Sequence, residues 1–312
     1  MAKMKMIIDC DTGVDDALAI SYILSNPDID FLGVTTTFGN VAVDVSVRNS
    51  LLITENYKKD IRVFRGAQHG WNTDEFIRCH DEDNVHGKNG IGDVDLGEPK
   101  GKVQEQSAVD FILESAEKYG KDLHLVFVGP LVNFAECIKK NEELMCNVGD
   151  ITIMGGALTV QGNRNIYGEA NIAEDPVSAK YVFDSKVHFN IVPLDATLKT
   201  LFKVSDIRHW KDMNEAGKNI YEIARFYYVH ELQDENIGGA MHDPLAAFAS
   251  YDPSIITNWF ACNLTVEDTG RMIGTFEQLN LKEKRHRVAL DVDTKRFTET
   301  YISLMDELIR NS

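Results

Sequence analysis

Four carboxylates fall within eight residues near the start of the chain, at Asp9, Asp11, Asp15 and Asp16. They follow a short apolar run, residues 4–8, and precede an apolar helical pattern. Negative charges this close together repel one another strongly when they are partly shielded from water, unless a cation neutralises them. Hard cations that prefer oxygen ligands, Ca²⁺ or Mg²⁺, suit such a cluster. The spacing therefore predicts a metal or catalytic site where the first strand ends.

Two of these acids also have a simpler explanation. Asp15 and Asp16 stand where a helix begins, and acids there complement the helix dipole. That explanation does not cover Asp9 and Asp11, which stand at a strand end and, two residues apart on an extended chain, point to the same side. We expect Gly13 to let the chain turn and bring the other two acids back toward them. All four are therefore predicted to share one site.

Further polar residues stand near the ends of later predicted elements. Asn40 follows the second strand, His86 lies in a long polar stretch, and His242 and Asp243 precede a helical pattern. Each has an ordinary explanation on its own: a turn residue, a surface histidine or a helix cap.

Short β-rich runs alternate with longer helical patterns through most of the chain, and these elements must position the polar residues. The predicted strands are residues 4–9, 31–37, 61–64, 123–128, 151–154 and 187–192. The predicted helices between them are residues 17–24, 43–55, 108–119, 133–140 and 176–183. Such alternation predicts an α/β fold, a mostly parallel central sheet flanked by helices. Ligands of such sheets bind beyond the carboxyl ends of the strands.

Two parts of the chain depart from this alternation. Residues 66–102 form a long polar, Gly-rich stretch, which is typical of a functional loop such as a lid. The sequence after residue 204 is mainly helical, with possible further strands at 260–266 and 287–292. We see no repeat and no linker, and we expect one domain over residues 1–312 with additional helices in its C-terminal third.

Composition narrows the class of protein. Of 312 residues, 44% are hydrophobic and 26% are charged, as in ordinary globular proteins. The formal charge of −17 argues against nucleic acid or an anionic membrane surface as the main partner. The five cysteines are scattered without a CxxC pair, which favours a reducing compartment. With no signal-peptide pattern and no apolar run near the ~18 residues of a membrane span, we expect a cytoplasmic protein.

The aspartate segment resembles the N-terminal signature D-x-D-x-x-x-D-D of the inosine–uridine-preferring nucleoside hydrolase family. Later segments resemble the same family in the same order. They are Gly39-Asn40, His86-Gly87, Val128-Gly129-Pro130-Leu131-Val132-Asn133, Met154-Gly155-Gly156, Asn163, Glu169-Ala170-Asn171, Asp175-Pro176 and His242-Asp243-Pro244. The resemblance runs from near residue 5 to near residue 300. It implies a nucleoside hydrolase-like, Rossmann-like fold.

The resemblance also implies an activity and a cofactor. The family hydrolyses the N-glycosidic bond of purine or pyrimidine ribonucleosides, or of both, to free base and ribose. It implies Ca²⁺ held by the side chains of Asp11, Asp16 and Asp243 and by the carbonyl of Val128. That ion would bind the ribose 2′ and 3′ hydroxyls and the attacking water, while Asp11 takes the proton of the water. Asp9 would support the site from behind.

Roles for further residues follow from the same resemblance. The sugar would be held by Asp15, Asn163, Glu169 and Asn171, and Asn40 would help to position it. His242 would protonate the departing base, or only contact the nucleoside, and its presence points to the inosine–uridine type of enzyme. His86 and Tyr227 or Tyr228 are candidates for the base pocket, although the tyrosines also fit a helix core. No pattern predicts the preferred base.

Two other functions remain open at this point. Asp9-Cys10-Asp11-Thr12 also resembles the nucleophile motif of haloacid-dehalogenase-type phosphatases, which predicts a Mg²⁺-dependent phosphohydrolase with Asp9 as nucleophile. That class needs a downstream lysine and an acidic pair, which we do not find in convincing positions. A catalytically silent nucleoside-binding protein is the second alternative.

Relatives in the nucleoside hydrolase family imply a homodimer or a homotetramer.

Overall fold

The computed structural model describes residues 3–78, 82–230, 238–270, 274–280 and 282–312. The strands β1 to β12 are Met4–Cys10, Ile29–Thr36, Val63–Arg65, Leu123–Phe127, Asp150–Met154, Phe189–Val192, Leu201–Phe202, Gly239–Ala240, Ile256–Cys262, Leu264–Val266, Phe276–Gln278 and His286–Val292. The helices α1 to α12 are Val14–Ser25, Val43–Asn56, Glu82–Val85, Ala108–Tyr119, Val132–Met145, Ala170–Glu174, Pro176–Asp184, Leu194–Thr197, Val204–Ile207, Glu215–His230, His242–Tyr251 and Thr294–Arg310.

The main sheet has eight strands in the order β3-β2-β1-β4-β5-β6-β12-β9. Its strands pair in parallel from β3 to β12, and β9 alone joins the sheet antiparallel, at one edge. The strand order reverses between β1 and β4, so the carboxyl ends of these two strands flank a crevice. The predicted α/β class with a mostly parallel sheet is confirmed.

Helices cover both faces of this sheet. Alternate residues of β1 face opposite sides: Ile8 belongs to one buried cluster with residues of α1, α10, α11 and α12, and Ile7 belongs to another with residues of α4, α5 and α7. A strand that is buried on both faces reads as a continuous apolar run, and the buried residues Met6, Ile7 and Ile8 are all apolar. Among the described residues, no helix is long and apolar enough to cross a membrane.

The end signals of α4 show how the sequence sets these bounds. The side chain of Ser107 accepts a hydrogen bond from the amide of Asp110 and caps the first turn. Gly120 follows the last turn with φ of 50°, a left-handed conformation that glycine adopts without strain. The helix therefore matches its predicted range, residues 108–119.

The prediction of one strand over residues 260–266 is wrong. Strand β9 ends at Cys262 in the main sheet, and β10 begins at Leu264 and pairs with β11 in a separate two-stranded sheet. The buried side chain of Asn263 separates them: its Oδ1 accepts the Arg285 amide at 2.9 Å and its Nδ2 donates to a loop carbonyl. A side chain therefore replaces the strand pairing at this residue.

The stretch 66–102 is not wholly irregular, because it contains the short helix α3. Residues 79–81 of it lie outside the described residues.

Candidate active site at the carboxyl ends of the strands

A cavity of about 430 Å³ opens beyond the carboxyl ends of β1, β4 and β5. Many of the residues singled out in the sequence line it. They are Asp15, Asn40, His86, Val128, Asn163, Glu169, Asn171, His242 and Asp243. Asp9, Asp11 and Asp16 do not line the cavity; all three are buried. The place agrees with the rule that ligands of parallel sheets bind at this edge.

The carboxylates come together tightly. Asp15, Asp16 and Asp243 each offer an oxygen, and these oxygens all lie within 4.8 Å of one another. Burial raises the pKa of Asp16 to about 6. Burial, and then the charges of Asp15, Asp16 and Asp11, raise the pKa of Asp243 well above its usual range. The carboxylates therefore repel one another, as the sequence predicts. Asp243 contributes to this repulsion although it lies more than 200 residues from the other acids along the chain.

The connection from β1 to α1 is held by Asp16 itself. Its Oδ1 accepts the amide of Asp11 at 3.1 Å and its Oδ2 accepts the amide of Gly13 at 2.8 Å. Asp16, the third residue of α1, thus caps the first turn of the helix, as the simpler explanation has it, and lies in the cluster as well. Gly13 does not make a special turn, since its φ is −84°. A Cβ there would lie 2.6 Å from Asn40 Nδ2 and from His86 Nδ1, so glycine is required for close packing.

Asn40 links two members of the cluster. Its amide donates to Asp11 Oδ2 at 2.6 Å, and its Nδ2 donates to Asp16 Oδ2 at 3.1 Å. Gly39 precedes it with φ of 151°, and a Cβ at that position would collide with the Asp11 carboxylate. Burial and the charge of Asp16 raise the pKa of Asp11 well above its usual range.

Asp9 lies behind the cluster. Its Oδ2 accepts hydrogen bonds from Thr35 Oγ1 at 2.6 Å and from Asn133 Nδ2 at 2.8 Å. Burial raises the pKa of Asp9 to about 6. The side chain is 1% exposed, so it supports the site without reaching the cavity.

The donor set fits a hard cation. Asp9 Oδ1 and Asp11 Oδ1 are buried oxygens with no hydrogen-bond partner, and such atoms are rare unless an ion or water satisfies them. Carboxylate oxygens are the ligands that Ca²⁺ and Mg²⁺ prefer. Of the expected ligands, Asp16 and Asp243 lie in the close group, and Asp15 is its third member. The carbonyl of Val128 accepts Asn171 Nδ2 at 2.9 Å.

The polar wall opposite the aspartates is cross-linked by its own side chains. Glu169 accepts the amides of Gly156 at 2.8 Å and Asn171 at 2.9 Å, and it caps α6. Burial raises the pKa of Glu169 even though these amides lower it. Asn163 Oδ1 accepts the amide of Ala170 at 2.9 Å. Their positions around the cavity are therefore fixed by main-chain contacts.

Two histidines line the cavity, and their Nδ1 atoms have different partners. His86 Nδ1 accepts the amide of Val14 at 3.1 Å, whereas His242 Nδ1 lies 2.6 Å from Thr197 Oγ1. His86 is 6% exposed, so it is not a surface histidine. Burial, the Arg78 charge and His242 lower the pKa of His86 to about 3. His86 is therefore a neutral ring at ordinary pH.

Of the two candidate tyrosines, the structure brings Tyr227 to the cavity, with its ring centroid 5.7 Å from that of His86. Tyr228 is buried and donates its hydroxyl to Met241 Sδ. Tyr227 therefore lines the cavity and also belongs to the core of its helix, since it is only 2% exposed.

Sequence reasoning missed two residues that hold these groups. Arg78 donates to the carbonyls of Asn40 at 2.6 Å and Gly87 at 2.9 Å, and so ties the 66–102 segment to the cluster. Thr197 contacts His242. Neither lies in a periodic pattern or a motif, and side chain contacts between distant segments leave no such signal.

Known proteins similar to this chain act on nucleosides. Residues 6–299 match the family described as inosine-uridine preferring nucleoside hydrolase. The chain is 36% identical over 262 residues to the probable uridine nucleosidase 2 of Arabidopsis thaliana, covering 82% of this chain and 80% of that protein. It is 29% identical over 305 residues to the pyrimidine-specific ribonucleoside hydrolase RihA of Salmonella paratyphi B, covering 95% of this chain and 96% of that protein.

Among solved structures, the purine-preferring ribonucleoside hydrolase from Gardnerella vaginalis superposes with a TM-score of 0.95. The two sequences are 38% identical, and the superposition covers 99% of this chain and 100% of that one.

Proposed function

This chain belongs to the inosine-uridine preferring nucleoside hydrolase family, an N-glycosyl hydrolase family, and we propose that it hydrolyses purine and/or pyrimidine ribonucleosides with a water activated by Asp11 and Ca²⁺ as cofactor. The observation that carries the proposal is the cavity where His242 and Asp243 meet the aspartates of the first strand end. The carboxylate cluster supplies a base, and His242, which also lines the cavity, supplies an acid.

Asp11, Asp16, Asp243 and the Val128 carbonyl would hold the Ca²⁺, and Asp15 lies close enough to join them. When bound, the ion supplies positive charge that offsets the carboxylates and orients the ribose hydroxyls. The buried, unpartnered Oδ1 of Asp11 and the raised pKa of Asp243 support this assignment.

The residues divide the reaction between the two sides of the anomeric carbon. Asp11 accepts a proton from the water as the water oxygen bonds to that carbon. The C–N bond breaks with its electron pair moving to the base nitrogen, and His242 donates a proton there. The sugar passes through an oxocarbenium-like state, and the products are free base and ribose. Asp11 then loses its proton and His242 regains one by exchange with solvent.

Binding is divided in a similar way. Asp15, Asn163, Glu169 and Asn171 hold the sugar, and Asn40 positions it through its two contacts with the aspartates. His86, together with Tyr227, faces the base. The relatives are named for uridine, for pyrimidines and for purines, so we extend both base classes to this chain.

Asp9 is a poor nucleophile for the alternative phosphohydrolase. Its Oδ2 is already held by two side-chain hydrogen bonds, from Thr35 Oγ1 and Asn133 Nδ2, which mark it as a supporting residue. We further propose a single domain over residues 1–312, a homodimer or homotetramer, and a cytoplasmic role in nucleoside salvage. The family match over residues 6–299 supports the single domain.

Ribose release from inosine, uridine, cytidine, adenosine and guanosine tests the proposal. Each nucleoside is incubated with Ca²⁺ or with chelator, and the wild type is compared with Asp11→Ala. We expect release that requires both the metal and Asp11, and the ranking of substrates gives the base preference. Asp60→Ala, a change of an exposed aspartate far from the cavity, is the control and should retain activity. Nucleoside binding without ribose release would instead identify a silent binding protein.

A further inference from the structure

Part of the polar wall of the cavity is carried by a loop that follows β5. This loop, residues 157–168, brings Asn163 and Arg164 to the cavity. The side chain of Arg164 forms an ion pair with Glu174 of α6 at 2.8 Å. Asn163 Oδ1 accepts the amide of Ala170, the first residue of the same helix, at 2.9 Å. These two contacts fix the second half of the loop to α6.

The first half of the loop is held by one buried carboxylate. Asp195 is 4% exposed, and its Oδ2 accepts the amide of Leu158 at 2.8 Å. Its Oδ1 accepts the amide of Thr159 at 2.8 Å and also the hydroxyl of the same residue. Within the part of the chain that the structure describes, no main-chain carbonyl accepts either of these amides. The side chain of Asp195 therefore supplies the acceptors that the main chain needs here.

The short helix α8 places this carboxylate. Asp195 is the second residue of α8, and the residue before it, Leu194, lines the cavity. The amide of Leu194 donates to the carbonyl of Gly156 at 2.9 Å, so α8 and the loop leave the paired strands β5 and β6 side by side. Leu198, directly after the helix, lines the cavity as well. Helix α8 therefore forms part of the cavity wall and holds the loop that carries another part of it.

We propose that Asp195 is a positioning residue, which sets the start of the 157–168 loop so that Asn163 reaches a bound nucleoside. The inference rests on the proposed function, in which Asn163 holds the sugar. Both oxygens of Asp195 are engaged by the loop, so its effect on the substrate is indirect and passes through the main chain of residues 158 and 159. The loss of this carboxylate should therefore weaken substrate binding and leave the chemical step in place.

The test separates substrate binding from the chemical step. Wild type, Asp195→Asn and Asp195→Ala are assayed for ribose release from a nucleoside that the wild type hydrolyses, and Ca²⁺ affinity is measured by calorimetry. Asn has nearly the shape of Asp, but one of its two polar atoms is a donor and cannot accept a main-chain amide. We expect D195N to raise KM by about tenfold, and D195A by more, with kcat within about threefold of wild type and Ca²⁺ affinity unchanged.

Asp206→Asn is the matched control. Asp206 stands in the first turn of α9, a helix as short as α8, and accepts the amide of Lys203 at the start of its own helix. D206N should leave KM, kcat and Ca²⁺ affinity at the wild-type values. Thr159→Val removes only the hydroxyl that contacts Asp195, and it should raise KM less than D195N does.

Asn163→Ala tests whether the effect of Asp195 passes through the loop. In an N163A background, D195N should raise KM by no more than about twofold, because the contact that the loop positions is already absent. An undiminished increase of KM in that background, a fall in kcat as large as the rise in KM, or a loss of Ca²⁺ affinity would overturn the inference. So would an active wild type whose KM is unchanged in D195N and D195A, or is raised equally by D206N. A wild type that releases no ribose from any nucleoside would refute the proposed function and this inference with it.

Discussion

The floor and the rim of the cavity are attached to different parts of the fold. The floor consists of three buried carboxylates that support the cavity without lining it: Asp9 and Asp11 at the end of β1, and Asp16 in the first turn of α1. The amides of Asp11 and Gly13 donate to Asp16, and that of Asn40 donates to Asp11. Asp9 is held by side chains that belong to β2 and α5. The floor is therefore part of the same hydrogen-bonded structure as the sheet.

The rim consists of Val85, His86 and residues 161–164 with the segments that carry them, and individual side chains help to hold these segments. Arg78 attaches the first segment through two carbonyls. Asp195 attaches the second by accepting the amides of Leu158 and Thr159, each at 2.8 Å. The loss of one of these side chains should loosen a rim segment, whereas the floor is held next to the central sheet. We infer that the floor carries the chemistry and that the rim controls access to it.

The largest effect should come from the floor, with Asp16→Asn. This change removes a charge from the cluster while keeping the shape of the side chain. We expect Ca²⁺ affinity to fall and kcat/KM to fall by about 10³-fold, because a metal site provides several kcal/mol of transition-state stabilisation. Calcium titration by calorimetry and ribose release measure the two quantities.

Asp110→Asn is a matched control for D16N. Asp110 occupies the same third position of its helix, α4, as Asp16 does in α1, but it is exposed. It should leave both calcium affinity and activity near the wild-type values. If D110N lowered activity as much as D16N, the loss would come from weakened helix capping. The effect of D16N would then not be specific to the carboxylates of the floor.

A smaller effect is expected from the rim, with Arg78→Ala. It removes the contacts to the carbonyls of Asn40 and Gly87 and to the carboxylate of Asp83. We expect KM to rise by about tenfold with a smaller change in kcat, because uniform binding is lost while the acid and base remain. Steady-state kinetics and limited proteolysis of the 66–102 segment measure this.

Arg48→Ala is the control at the other end of the same segment. Arg48 donates to the carbonyl of Gly97 at 2.6 Å, but it does not reach the cavity. It should increase proteolysis locally and leave KM unchanged. A fall in kcat for R78A as large as that for D16N would show that rim and floor are one unit.

The pH dependence of stability should also distinguish the floor. Burial raises the pKa of Asp9 and Asp16 to about 6 in the folded protein without metal. A raised carboxyl pKa means that the folded state holds its protons more tightly than the unfolded state, so metal-free stability falls as pH rises from about 4 through 6. Ca²⁺ removes this penalty, and we expect it to raise Tm by about 5 °C more at pH 8 than at pH 5.

Differential scanning calorimetry with Ca²⁺ and with chelator at both pH values measures this increment. Subtracting the Tm measured with chelator from the Tm measured with Ca²⁺ at each pH cancels the contributions of other titrating groups, such as buried histidines. D16N should reduce the dependence of the increment on pH. An increment that is equal at both pH values would mean that the floor carboxylates are not the groups that the metal relieves.

The same contrast explains how much the sequence predicted. The fold class and the acidic floor follow from local patterns: strand–helix alternation and four acids in eight residues. Asp243 and His242 come from a distant segment, and only the family resemblance, not any periodicity, associated them with the floor. Arg78, Asp195 and Thr197 hold the rim and His242 through contacts between distant residues, which the local spacing of residue types does not encode. The break at Asn263 was missed for the same reason.

The smallest effect is expected from a histidine outside both regions. His286 lies in the core, with its ring centroid 4.2 Å from that of Phe189 and 5.5 Å from that of Phe183. Burial lowers the pKa of His286 to about 4. A base with a lowered pKa stabilises the fold fully above its unfolded value of about 6.5 and loses that contribution as pH falls toward 4. His286→Phe should therefore leave ribose release at pH 7 unchanged and make unfolding by urea less sensitive to pH between 6.5 and 4.5. If the pH dependence of unfolding by urea is unchanged in H286F, that dependence comes from other groups. A loss of activity at pH 7 would show that this part of the core is coupled to the cavity floor.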